Sequence, residues 1–204
     1  MKLPHHLTIK NGHLYINGQD CITLAEKYGT PLYVTSEDRV VEQFGSYKKA
    51  LGARYPKVQV LFAAKANGNL AVIRALARAG AGADVFSSGE LHLALNAGMA
   101  PEKLLFNGSS KTPSDLRLAI EKGVKVSVDS LDELHQLDAT AIAMGKMVKI
   151  AFRVNPALEV PTHPKIATGL ATSKFGIPHR EIPAAYREAL ACKNIQPVGL
   201  HCHI

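Results

Sequence analysis

VQVLFAAKANGNL, residues 58–70, decides the fold. Residues 58–63 read as a buried strand, Asn67-Gly68-Asn69 breaks it, and a helical pattern begins at Leu70. Lys65 stands at the strand's carboxyl end in an otherwise apolar run. Burial there is expected to disfavour the charged amine and leave a nucleophile of the type that a Schiff-base enzyme uses. A lysine that simply snorkels out of the strand end is the competing reading.

The same unit repeats downstream. The helix of 70–79, with Leu70, Ile73, Leu76 and Ala77 inward and Gly80 as its stop, leads to a strand over 83–86. Ser87 and Glu90 read as a capping box, and Gly98 ends the helix they open. A strand over 103–106 is followed by Thr112-Pro113, a cap with proline at the first helical position, and a helix ending at Gly123. A strand over 124–128 leads to a second box, Ser130 with Glu133, and a helix reaching Met144; a strand over 148–154 follows. Strands thus begin near 58, 83, 103, 124 and 148. Buried strands alternating with amphipathic helices at that spacing make a parallel α/β sheet, closed as a (βα)8 barrel or left open and doubly wound. The absence of G-x-G-x-x-G after the first strand counts against the dinucleotide-type open sheet. After Arg153 the unit breaks into a long polar loop, 155–178, carrying Thr162-His163-Pro164 and Ser173-Lys174-Phe175-Gly176; a helix near 181–191 and a sixth strand over 197–204 follow.

Ahead of the repeat, residues 7–19 alternate around Asn11-Gly12 as a hairpin does. A short helix over 24–28 stops at Gly29, PLYVT (31–35) reads as a strand, and Ser36 caps a helix to about Gly52 with Val40, Val41, Phe44 and Tyr47 on one face. With 204 residues, 47% hydrophobic and 20% charged, the composition is that of a folded domain. The net charge of +7 is scattered, which argues against a nucleic-acid surface. Cys21, Cys192 and Cys202 lack metal spacing and fit reduced thiols in a cytoplasm; no long apolar run or signal peptide suggests a membrane.

The strand ends carry Lys65 and Asn67, Asp84, Asn107-Gly108, Asp129, Arg153 and Asn155, then His201 and His203. Barrels place their chemistry at that rim, on residues from several strands. Each has a structural alternative: Asp84 and Asp129 as helix caps, Asn107 as a turn residue, Arg153 as an ion-pair partner. His201 and His203 alternate onto one face, where they suit a metal or an imidazole packed flat on an aromatic cofactor. His135, in a helix, and His163, in the loop, are poorly placed to complete a metal set, so cofactor packing is preferred and no metal is expected.

AAKANGN (63–69), GADVFSSGEL (82–91), FNGSSKT (106–112), FRVNP (152–156) and GLHCHI (199–204) resemble, in order and spacing, the fold-type III pyridoxal-phosphate decarboxylases, whose barrel is similar to that of alanine racemase. HPKIATGLATSKFGI (163–177) resembles the diaminopimelate branch more than the ornithine and arginine branches. The resemblance implies a TIM-type barrel, present here through about six strands, over 36–204, with 1–35 a hairpin and strand that join a C-terminal β-domain. It implies pyridoxal 5'-phosphate on Lys65, Asp84 near that linkage, Arg153 near the cofactor's phenolic oxygen and His203 stacked on its ring; His201 receives no role. It further implies decarboxylation of meso-2,6-diaminopimelate to L-lysine and a homodimer with shared active sites. Because family members continue with further barrel strands, these 204 residues are expected to be inactive alone and to associate. An ornithine- or arginine-type decarboxylase, a non-catalytic pyridoxal-phosphate-binding barrel and a metal-dependent hydrolase are the alternatives.

Overall fold

Gly123 and Gly145 show how this chain punctuates itself. Both adopt left-handed backbone (φ 71° and 62°) at the carboxyl caps of helices, where their N–H groups return to carbonyls of the last turn. A strand begins within a few residues of each. The computed structural model describes residues 3–159, 161 and 168–204. Contacts divide it into two units, Met1–Val58 and Gln59–Ile204.

The first unit holds a three-stranded antiparallel meander of β1 (Leu7–Lys10), β2 (His13–Ile16) and β3 (Gln19–Asp20). Lys10 pairs with His13 and Ile16 with Gln19, so each turn is a two-residue Asn-Gly loop. Asn11, Gly12, Asn17 and Gly18 all take positive φ, as type I′ turns require. The expected hairpin is there, and the second Asn-Gly pair extends it by a strand. Asp20 caps α1 (Cys21–Tyr28) by accepting from the Ile22 N–H, so this helix starts earlier than the apolar pattern suggests. Ser36 caps α2 (Glu37–Gly52) as expected, but only Phe44 of its apolar face is buried; Val41 and Tyr47 are exposed. PLYVT is not a strand: extended backbone counts as one only when a neighbour takes its hydrogen bonds, and none does here among the described residues. Tyr33 is 98% exposed.

The second unit is the strand–helix repeat. It runs β4 (Leu61–Ala63), α3 (Leu70–Arg78), β5 (Gly82–Val85), α4 (Ser88–Asn96), β6 (Leu104–Phe106), α5 (Pro113–Lys122), β7 (Lys125–Val128), α6 (Leu131–Met144), β8 (Val148–Asn155), β9 (Ile177–Pro178), α7 (Ile182–Ala191) and β10 (Ile195–Cys202). All pairings are parallel, in the order β10-β8-β7-β6-β5-β4, with the short β9 on the end of β8. A doubly wound sheet reverses its strand order at a switch point. Here each main strand adds beside the one before it, the winding of a TIM-type barrel. Val126, Ser127 and Val128 are buried in succession, as strands covered on both faces are. Ile73, Leu91, Leu116 and Leu134 bring one helix each onto the sheet.

The caps are more varied than expected. Ser87 and Ser130 accept from the N–H groups of Glu90 and Glu133, but those glutamates reach one residue further back, to the N–H groups of Phe86 and Asp129. The complete reciprocal box is Thr112 with Asp115. Within the long loop, β9 pairs Ile177 with Val154, and Gly176 (φ 76°) passes so close to the backbone of residues 153–155 that a Cβ would stand 2.8 Å from the Arg153 carbonyl. Thr162-His163-Pro164 and the start of the 163–177 stretch lie outside the described residues.

Gly82 is the tightest point of the sheet. A Cβ there would run into the Lys103 carbonyl and the Leu61 side chain, whereas one on Gly199 would meet nothing within 4 Å. Gly82→Ala is expected to cost about 3 kcal/mol, the upper range for overpacking, because backbone cannot yield as a side-chain tip does. Gly199→Ala should stay within about 0.5 kcal/mol of the parent. Urea unfolding of the two variants checks both.

Candidate active site

The strand ends of the second unit bring nine polar side chains, from Lys65 and Asn67 to His201 and His203, to one rim. The first is placed differently from expectation. β4 stops at Ala63, and Ala64–Ala66 form a 3-10 turn, so Lys65 leaves the strand line and is exposed. Its ammonium rests 4.1 Å from the centre of the Phe86 ring. The amine is therefore held against an aromatic face and open to solvent, not sunk in the apolar run. Asn67 closes the turn by accepting from the Asn69 N–H.

Asp84, at the end of β5, is half-buried, and its Oδ1 is buried without a hydrogen-bond partner. Burial pushes its carboxyl up from the ordinary carboxylate value; hydrogen bonding from the Asn107 side chain and the charges of Lys65 and Arg153 oppose that. An unmet acceptor beside a reachable amine is what an incoming polar ligand would complete.

Asn107 is buried after β6 and donates from Nδ2 toward His201 Nε2 at 3.3 Å. Its Oδ1 accepts from the Gly108 N–H at 2.8 Å. His201, on β10, meets Ser127 Oγ of β7 through Nδ1 at 2.9 Å. Burial, reinforced by Arg153 and His203, pulls the His201 imidazole down to about 4. His203 is exposed just beyond β10, and burial with the nearby Lys65 and Arg153 charges lowers its imidazole too. Both rings are thus neutral near pH 7.

Arg153 and Asp129 are buried side by side, with Nη1 to Oδ1 at 3.4 Å. Asp129 does not cap α6; Ser130 does. The Arg153 guanidinium lies 4.5 Å from the centre of the Phe175 ring, so the loop covers it. Asn155 holds the same loop by donating to the carbonyls of Leu170 and Ser173.

Beneath the rim is a network that motif reading passes over. Lys111 is buried, donating to the carbonyls of Gly108 and Ser127 (2.9 Å for the latter), with Glu133 Oε1 2.8 Å away. Burial raises the Glu133 carboxyl, and Lys111 opposes that shift. The available signals were slight: Lys111 lies inside FNGSSKT, and Ser127 is a lone hydroxyl among valines. Among the described residues, no group of three or more His, Cys, Asp or Glu side chains is gathered to hold a metal. None of their helices is long and apolar enough to cross a membrane.

An amine at the first strand end of a parallel barrel, with carboxyl, guanidinium and imidazole groups around the same rim, is an arrangement suited to carbonyl–amine chemistry. The chain belongs to the family of pyridoxal-dependent decarboxylases, whose pyridoxal binding domain matches residues 37–204. It is 48% identical over 194 residues to the diaminopimelate decarboxylase of Archaeoglobus fulgidus, covering 95% of this chain and 45% of that protein. It is 41% identical over 200 residues to the diaminopimelate decarboxylase of Aquifex aeolicus, covering 98% and 47%. The crystal structure of diaminopimelate decarboxylase from M. jannaschii in co-complex with L-lysine superposes with a TM-score of 0.90 at 40% identity, over 98% of this chain and 48% of that one. The chain spans about half the length of the curated relatives it matches.

Lys111→Met should leave Glu133 buried and unpaired, at a cost of about 3–5 kcal/mol. Adding Glu133→Gln removes the stranded charge while keeping an oxygen for the Asp129 N–H, and should restore part of that loss. Denaturant titration of the single and double variants measures both.

Proposed function

We propose that this chain is the pyridoxal-phosphate-binding part of a decarboxylase that converts meso-2,6-diaminopimelate to L-lysine and carbon dioxide. The observation that carries the reading is the rim itself: the exposed Lys65 amine beside the unmet Asp84 oxygen, with Arg153 and His203 influencing the same groups. The relatives named above supply the substrate class.

The donor set suits the aldehyde and the ring of pyridoxal phosphate. Lys65 offers a nucleophilic nitrogen that can swing off the Phe86 ring without breaking a buried hydrogen bond. His203 offers an exposed, neutral imidazole face on which an aromatic ring can lie. Asp84 would lie near a cofactor held on Lys65, where its carboxyl would balance positive charge and its free oxygen would gain a partner. Arg153, held by Asp129 and covered by Phe175, would offer the cofactor's phenolic oxygen a fixed positive charge. When bound, pyridoxal phosphate supplies the electron sink for the breaking carbon–carboxylate bond. The chain's share is to bind, orient and hold opposing charges apart without reorganising.

Around this core we place the other elements of the reading. Residues 1–35 serve a β-domain and 36–204 the barrel. The assembled protein is a homodimer with shared active sites. Three unpaired cysteines suit a reducing cytoplasm.

Three measurements on the protein carrying this chain test the proposal. Borohydride reduction in the presence of pyridoxal phosphate should leave a pyridoxyl group on Lys65, read by peptide mass spectrometry; a label on another lysine overturns the assignment. Lys65→Ala and Lys65→Arg should both lose most carbon dioxide release from meso-diaminopimelate, since arginine keeps the charge but cannot form the imine. For His203, the phenylalanine variant should hold pyridoxal phosphate within a few-fold of the parent, while His203→Ala binds about tenfold more weakly by absorbance titration.

A further inference from the structure

His201 has no part in the reading above, yet it is the best-connected imidazole at the rim. Ser127 Oγ lies 2.9 Å from its Nδ1 and Asn107 Nδ2 lies 3.3 Å from its Nε2. The direction of these bonds follows from one backbone group. The Gly108 N–H donates to Asn107 Oδ1 at 2.8 Å, so the Asn107 amide must turn its NH2 toward His201. An NH2 can only donate. His201 Nε2 is therefore the acceptor, and its proton sits on Nδ1, donating to Ser127. Lys111, through the carbonyls of Gly108 and Ser127, anchors both ends of this chain of bonds.

We propose that His201 is a positioning residue: as a neutral imidazole with its proton on Nδ1, it locks the Asn107 amide in the orientation in which that amide also serves the Asp84 carboxyl. The hydrogen bonds run from Ser127 on β7, through His201 on β10, to Asn107 after β6, and the Asn107 side chain in turn favours the charged form of Asp84 on β5. Together they tie four strand ends across the rim. A charged His201 would break this connection, because a protonated Nε2 would face the Asn107 NH2 donor to donor. The surroundings keep the ring neutral. Burial, Arg153 from β8, His203 from beyond β10 and Lys111 from the loop before α5 all disfavour a proton on it, and Asp129, from the loop before α6, favours it. The inference rests on the proposed function for its purpose, since Asp84 matters through the ligand it meets. Its tests do not use activity, so a failure to find the cofactor on Lys65 would leave them standing.

The first test needs no substitution. In protein labelled with 15N-histidine, long-range proton–nitrogen spectra should show His201 with its proton on Nδ1, remaining neutral as the pH falls through 6.5 toward about 4. A proton on Nε2, or uptake at the ordinary imidazole value, overturns the proposal. Ser127→Ala removes only the hydroxyl and should weaken the preference for Nδ1. The second test follows Asp84 by its 13C-carboxyl titration. His201→Gln presents an acceptor to Asn107 and a donor to Ser127, and should leave the Asp84 titration where it is. His201→Leu removes the acceptor that, with the Gly108 N–H, holds the Asn107 amide in place, so the Asp84 titration should move upward, as it should in Asn107→Ala, and the double variant should move no further than the larger single shift. If Asn107→Ala shifts Asp84 and His201→Leu does not, His201 merely fills space and the proposal fails. Where a variant does not fold, the tautomer of the parent decides.

Discussion

A buried ammonium must be met by acceptors on every side, and Lys111 is met by three: the carbonyls of Gly108 and Ser127 and the carboxylate of Glu133. That requirement fixes more than the lysine. Gly108 follows Asn107, whose amide faces His201; Ser127 carries the hydroxyl that His201 meets; Glu133 holds the Asp129 N–H, and Asp129 holds Arg153. One desolvated charge thus sets the loop after β6, the end of β7 and the start of α6 relative to each other. The groups that face a ligand rest on this layer.

The rim above it divides into fixed and free charges. Arg153 is buried, paired and stacked under Phe175, so its position is part of the fold. Lys65 is exposed and held only by the Phe86 face. This suits a site in which one amine must move while the surrounding field stays still. A guanidinium that reorients with each ligand would give back as reorganisation what it gained as attraction. The neutrality of His201 and His203 has the same sense, since two further cations beside Lys65 and Arg153 would compete with them for the Asp84 carboxylate.

Much of this is legible in the sequence. The repeat of strand and helix, the Asn-Gly turn, the Ser36 and Thr112 caps and the polar strand ends are local signals, because backbone geometry and capping chemistry act over a few residues. What the residues alone left open was settled by pairing. PLYVT has the composition of a strand but no neighbour, and the choice between open sheet and barrel waited on the strand order. The apolar neighbours of Lys65 in sequence predict a buried amine; the turn at Ala64–Ala66 takes it out of their line. The two glutamates expected to close capping boxes instead reach one residue back, a difference that depends on backbone angles at Ser87 and Ser130. Lys111, Ser127 and Glu133 were hidden for another reason: buried polar networks join residues distant in the chain, and single positions carry no mark of their partner.

The strand order has a consequence for how the chain is made. From β4 to β8, each strand pairs with the one completed just before it, and strand starts at Leu61, Gly82, Leu104, Lys125 and Val148 fall little more than twenty residues apart. A ribosome adds on the order of 5–20 residues each second, so a unit emerges over roughly one to four seconds. Local collapse takes microseconds. Every new strand therefore meets a waiting edge, and the growing sheet never has to search for a partner not yet synthesised. β10 also finds its partner β8 already made, but across the long loop and α7. His201 arrives on that last strand, so Asn107 and Ser127, placed early, are joined late. Vectorial synthesis would thus build the scaffold of the rim first and draw its cross-tie afterwards.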